Sequence, residues 1–289
     1  MRRASCYKRA TCVSPNLLRL RKMGILTTEQ RKQWKTEGYL ILKGVLSPEE
    51  VEALTATVNE MDAEFRKGEN VTADSVFDKR NVMEDNDIFV DLMDHPVTFP
   101  IVRELIGDFI QLSMSEVIVR PPNPKDQGYL HTDGGQAMRT IRVSKSSSPL
   151  QVKIHYFLTD LENPDSGNFT VVPGSHNRTF PETGVKDGPY IPEAVQLRVK
   201  AGDAAVFPHA LWHGVVANRS EQPRKTLIYC YSHQCFRPFD YEKASPELME
   251  RCTPRQQRLI GDIGDWKPGS YFYSPGDQEK LISGLEEDN

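Results

Sequence analysis

The sequence predicts a mainly β chain, a jelly roll with flanking helices, on three observations. About eight short runs of strand-type residues lie between positions 110 and 235, separated by Gly, Pro, Asn and Asp turns. They do not alternate with crossover helices, as the strands of a parallel sheet would. Helix signals gather before and after them, so residues 23–289 divide into an N-terminal helical part (23–109), a β core (110–235) and a C-terminal helical cover (236–289) of one domain.

In chain order, Thr27-Thr28-Glu29-Gln30 reads as a helix start with a capping glutamine, and the helix should end near Gly38. Residues 39–42 then read as a strand. Ser47-Pro48-Glu49-Glu50 is a second helix start, with a Ser cap, Pro at the first helical position and Glu at the third. Val51, Leu54, Val58, Met61 and Phe65 follow at helical spacing as a stripe for packing on the sheet. Residues 66–95 look polar and irregular, and 98–106 reads as a helix closed by Gly107. Strands are expected at 112–120, 129–133, 152–159, 169–172, 195–199, 204–207, 213–216 and 226–233. Helical pieces at 245–252 and 254–260 would cover the outside or contribute to a homodimer.

Composition points to a soluble intracellular enzyme in a reducing compartment, with the cytoplasm as the expected location. No run approaches the roughly 18 apolar residues of a membrane span. The cysteines Cys6, Cys12, Cys230, Cys235 and Cys252 form no Cys-x-x-Cys pair and argue against a disulfide scaffold. Residues 1–22 carry seven Lys or Arg and no Asp or Glu. The remainder holds 29 basic against 40 acidic residues, a balance of −11 that gives no sign of nucleic-acid binding. The basic segment reads as an organelle-targeting leader, a disordered tail, or an extension upstream of Met23.

His131 and Asp133 stand two apart on an expected strand. Alternate side chains point to one face, so the two project together and Thr132 turns away. His213, in the apolar setting Leu211 to Val216, supplies a third ligand. Two imidazoles and a carboxylate suit non-haem iron(II), which keeps positions open for oxygen and co-substrate. A His-x-Asp pair alone is as readily a surface turn. Weight is added by Arg224, eleven residues after His213 and beyond a turn-like 218–223, where a hairpin would lay it beside His213 on the neighbouring strand.

An arginine inside a barrel is costly unless it meets an anion. A 2-oxo dicarboxylate supplies one: its 2-oxo acid end chelates the metal, and its far carboxylate meets the planar fork of Arg224. The spacing fits 2-oxoglutarate, and the alternative is a solvated arginine past a turn. Lys153 and His155 alternate with Ile154 and Tyr156, so one face of that strand carries polar atoms that would line the co-substrate pocket.

The run Gly38 to Val51, His131-Thr132-Asp133, Pro173-Gly174-Ser175-His176, and Leu211-Trp212-His213-Gly214 with Asn218, Ser220 and Arg224 together resemble the phytanoyl-CoA dioxygenase family. The resemblance spans about residues 25–235 and implies a double-stranded β-helix (jelly roll, cupin-like) core that uses iron(II), 2-oxoglutarate and O2. It makes His131, Asp133 and His213 the metal ligands and Arg224 the anchor of the distal carboxylate. Where some members carry a serine two residues after the distal histidine, this chain has Val215, so Thr226 or Tyr156 is expected to supply a hydroxyl. Halogenating relatives replace the metal-binding carboxylate with a small residue. Asp133 is intact, which favours hydroxylation or a related oxidation of an unactivated C–H bond, with release of succinate and CO2. His176 belongs to a turn in this pattern, and His209 reads as a bystander.

For the substrate, Arg139, Arg142, Lys145 and Lys153 fall in a stretch without acidic residues, on the expected loop leaving the metal-bearing strand. Such a loop either selects an anionic small molecule at the barrel mouth or is simply solvated. Two other readings stay open: a cupin-like zinc-dependent hydrolase or isomerase on the same ligands, and a non-catalytic small-molecule-binding module.

Overall fold

Ten strands and their connections organise the computed structural model, which describes residues 25–139, 141, 147–264 and 267–284. The basic segment 1–22, Arg142 and Lys145 lie outside the described residues. The strands are β1 (Leu40–Leu42), β2 (Phe77–Arg80), β3 (Ile110–Arg120), β4 (Tyr129–His131), β5 (Gln151–Phe157), β6 (Phe169–Val171), β7 (Val195–Gln196), β8 (Ala204–Pro208), β9 (His213–Val215) and β10 (Arg224–His233). A six-stranded antiparallel sheet runs β1-β8-β5-β10-β3-β2 and a four-stranded one runs β4-β9-β6-β7. This is the jelly roll with flanking helices expected from the turn-separated strands, in the double-stranded β-helix form that the family resemblance implies.

Strand parity builds two cores. Ile154, Tyr156, Leu227 and Tyr229 point outward from the large sheet and pack with Leu54 and Val58 of the helix Pro48–Phe65 and Val102 and Ile106 of the helix Phe99–Ile106. The intervening Phe157 of β5 and Ala205 and Phe207 of β8 point the other way and meet Phe169 and Val171 of the small sheet. That inner layer is where a site can form.

Both helix starts are capped as their sequences predict. Thr27 with Gln30 and Ser47 with Glu50 form capping boxes, and Gly38 closes the first helix at φ 83°, a conformation that a Cβ would strain. Pro246–Arg251 and Pro254–Leu259 match the expected C-terminal pieces. Two further short helices, Ser270–Tyr273 and Gln278–Ser283, follow, with Arg258 bridging to Asp277 at 2.9 Å.

Residues 66–95 depart from the irregular segment expected. They contain β2, the helix Asp87–Val90 and 3-10 turns at Val82–Glu84 and Asp91–Asp94. The cause is tertiary: Phe89, Val90, Leu92 and Met93 are buried, and the Tyr229 and Tyr231 hydroxyls donate to the carbonyls of Phe89 (2.6 Å) and Met93 (2.8 Å).

The hairpin expected between His213 and Arg224 is absent. β9 already pairs with β4 on one side and β6 on the other, so β10 has no edge to join and crosses to the large sheet between β5 and β3. Asn218 pins the crossing. It bridges to Asn123 and Ser166, and its Nδ2 donates to the carbonyls of Arg120 (3.2 Å) and Gln222 (2.8 Å). Among the described residues no helix is long and apolar enough to cross a membrane.

Candidate metal centre

His131 and His213 come from adjacent strands of the small sheet, in direct register, and Asp133 follows His131 by two residues. Asp133 does not lie on the strand as expected. β4 ends at His131, and Asp133 sits in the turn beyond it, its N–H donating to the His209 carbonyl at 3.0 Å. That bond keeps the extended alternation going one step further, so the ligand atoms of all three residues still fall within 4.8 Å of one another. Thr132 turns away and is buried, its Oγ1 accepting from Arg139 Nε at 3.2 Å.

The donor set fits a divalent metal. Asp133 Oδ2 is buried without a hydrogen-bond partner and faces His213 Nε2 at 3.6 Å. His213 Nδ1 lies 2.8 Å from the Leu211 carbonyl, and a proton held there leaves the Nε2 lone pair for a metal. Phe207 and Phe169 flank the His213 ring at 4.7 and 5.6 Å and shield it from water. Burial pushes the His213 imidazole down to about 3 against the pull of Asp133, so the ring is neutral at physiological pH and ready to ligate.

Lys153 answers the other carboxylate oxygen. Its Nζ stands 2.7 Å from Asp133 Oδ1, both groups nearly enclosed. Burial alone would raise the Asp133 carboxyl; Lys153, with His213 and His131, outweighs it and holds it well below the usual carboxylate range. Burial likewise disfavours the ammonium, but Asp133 keeps Lys153 charged. Lys153 thus lies against Asp133, a candidate metal ligand. The register explains this, since Lys153 pairs with Phe207 and Cys230, one step along β5 from His155.

Arg224 points inward from the start of β10 and is 2% exposed. Its Nη2 contacts His155 Nε2 at 2.9 Å and Thr226 Oγ1 at 3.2 Å, and among the described residues no carboxylate pairs with it. Burial pushes its pKa down to about 9, with Arg120, directly opposite on β3, adding to the effect. Burial and Arg224 hold His155 well below its ordinary value, so its neutral ring accepts from the guanidinium. Tyr156 cannot supply the missing hydroxyl. It points to the other face of β5, where its OH meets Thr98 Oγ1 at 2.7 Å in the outer core.

Arg139 ends a short helix, Gly135–Arg139, where only loop was expected, and its guanidinium lies 4.5 Å from the Phe180 ring centroid. His176 sits in the turn of the Ser175–Asn177 segment, whose Ser175 Oγ accepts from the Trp212 N–H at 2.8 Å beside His213.

Arg120 and Glu116 also face the interior and were not singled out from the sequence. Met114, Glu116, Ile118 and Arg120 alternate with Val117 and Val119, a period of two that marks a strand with one polar-lined face.

A family model described as phytanoyl-CoA dioxygenase (PhyH) matches residues 34–226. The chain is 26% identical over 251 residues to the dioxygenase cdmA of Talaromyces verruculosus, covering 81% of each chain. It is 24% identical over 237 residues to an ectoine dioxygenase of Bordetella bronchiseptica, covering 72% of this chain and 75% of that one. The fold resembles HygX from Streptomyces hygroscopicus, solved with nickel and 2-oxoglutarate bound, at a TM-score of 0.62 and 22% identity, over 77% of this chain and 93% of that one. It also resembles EctD from S. alaskensis in its apo form, at a TM-score of 0.59 and 21% identity, over 77% and 83% of the two chains.

Proposed function

The chain belongs to the phytanoyl-CoA dioxygenase family, and from that membership we propose that His131, Asp133 and His213 hold iron(II) while Arg224, with His155 and Thr226, receives the distal carboxylate of 2-oxoglutarate. The protein is an iron(II)- and 2-oxoglutarate-dependent dioxygenase. We further propose oxidation of an unactivated C–H bond in a small organic substrate, with anionic groups met by Arg139.

When bound, iron and 2-oxoglutarate supply oxygen activation, with release of succinate and CO2. The chain does the positioning. Lys153 holds Asp133 Oδ1, which also lies 3.7 Å from His131 Nε2, and leaves Oδ2 facing the His213 imidazole. Neutral His213 would ligate without first losing a proton. Arg224 stands on the opposite sheet, so the two ends of the co-substrate would be held from two sides. The intact carboxylate at Asp133 favours oxygenation over halogenation.

One observation carries this reading: a His-Asp-His cluster shares its interior with a buried arginine that meets no carboxylate among the described residues. A zinc-dependent hydrolase or isomerase on the same ligands would have no use for that arginine. The test is succinate formation from 2-oxoglutarate by anaerobically iron-loaded protein on admission of air, with acyl thioester, amino-acid and phosphonate candidates and with Asp133→Ala alongside. Succinate from the wild type alone supports the reading. No succinate, and no charge-transfer absorption on adding 2-oxoglutarate anaerobically, overturns it.

A further inference from the structure

Arg224 does not stand alone in its recess. In the pairing of β10 with β3 it lies directly opposite Arg120, and both side chains belong to the inward face. Like charges directly opposite on neighbouring strands repel, and burial amplifies the cost. Among the described residues one carboxylate forms an ion pair with either guanidinium: Asp126, whose Oδ2 is 2.9 Å from Arg120 Nη1; Glu116, further along the same face of β3, is taken up by Arg80 at 3.1 Å. With Glu116 paired to Arg80, two guanidiniums share one carboxylate and Arg224 is left without an ion-pair partner among the described residues.

We propose that Arg120 is a second receptor for the distal carboxylate of the 2-oxo acid, acting beside Arg224; this rests on the co-substrate reading above. One ligand carboxylate neutralises the leftover charge. Unused donors are already in place, because the Nε of Arg120 and the Nε of Arg224 are both buried without hydrogen-bond partners. Arg120 is also held in position. Its carbonyl accepts from Asn218 Nδ2, and its guanidinium lies 5.8 Å from the Tyr129 ring centroid. A carboxylate gripped from β3 and β10 does not need the hydroxyl that Val215 lacks.

The test is calorimetric binding of 2-oxoglutarate and of 2-oxopentanoate to the nickel-loaded protein. The second acid keeps the chelating end and replaces the distal carboxylate with a methyl group. Arg120→Gln should weaken 2-oxoglutarate roughly 10- to 100-fold, the worth of a charge-assisted bond, and leave 2-oxopentanoate unchanged. Arg120→Lys should recover part of the loss. Asp126→Asn keeps an oxygen for the Gly128 N–H, removes the competing charge and should tighten 2-oxoglutarate, which keeps the test open if Arg120→Gln fails to fold. Unchanged 2-oxoglutarate affinity in Arg120→Gln, or an equal loss for both acids, overturns the proposal. If Arg224→Gln alone abolishes the preference for the dicarboxylate, this inference fails and the co-substrate reading stands. If the wild type shows no preference between the acids, both fail.

Discussion

His131 and His213 stand directly opposite each other on β4 and β9, their rings 4.3 Å apart. Gly214, the next residue on β9, lets the strands approach this closely, because a Cβ there would overlap the Tyr129 carbonyl oxygen. Gly214→Ala should therefore push the strands apart and weaken metal binding at least tenfold, with all three ligands retained. Competitive titration with a chelator measures this, and wild-type metal affinity would refute the role given to the glycine.

Lys153 and Asp133 form an enclosed ion pair beside the candidate metal. Lys153→Met leaves a buried carboxylate uncompensated, which should cost the metal-free protein about 3–5 kcal/mol. Nickel supplies the missing positive charge, so the melting temperature should rise more on metal addition in the variant than in the wild type. An equal rise in both would mean that Lys153 and the metal do not share the carboxylate.

Asp133→Ala should abolish succinate formation, and Arg224→Ala should keep the metal but weaken 2-oxoglutarate. Measuring both ligands on both variants separates the roles. If Arg224→Ala binds 2-oxoglutarate as the wild type does, Arg224 is not the anchor.

Burial, with Asp78 nearby, raises the Glu116 pKa from 4.5 to about 7. Between those values the unfolded chain has released a proton that the folded chain retains, so this residue makes stability fall as pH rises through the window. Glu116→Gln removes the penalty. Urea midpoints of the metal-free proteins at pH 5 and pH 7.5 should show the variant gaining on the wild type at the higher pH; a constant difference would contradict the assignment.

What the sequence disclosed, it disclosed through local spacing. His131 and Asp133 share a face because strand side chains alternate, and the Ser47 cap follows from four consecutive residues. Long-range pairing left no such mark. The His213-to-Arg224 hairpin failed because β9 has neighbours on both sides, neither of them identifiable from residues 213–224. Tyr156 was offered a place in the pocket although its parity with His155 already excluded it. Arg120 was missed although Met114, Glu116, Ile118 and Arg120 keep a period of two; the alternation does not run through the whole strand, because the register with β10 shifts between Cys230 and Tyr231 and skips Ser113. Leu112 and Met114 therefore face opposite sides although they are two apart.

The crossing from β9 to β10 also makes the molecule a gauge of length. On the proposed site, with the chelating end of the co-substrate held from the small sheet and its far carboxylate from the large one, the usable span would be set by sheets that pack at a near-constant separation of about 10 Å. His131, His213 and Arg224 stand on strands, and the turn that carries Asp133 is tied to the His209 carbonyl. One methylene more or less displaces the carboxylate beyond the roughly half-ångström range over which such hydrogen bonds stay short. Oxaloacetate and 2-oxoadipate carry the same functional groups as 2-oxoglutarate, yet the thickness of the sandwich should reject them both.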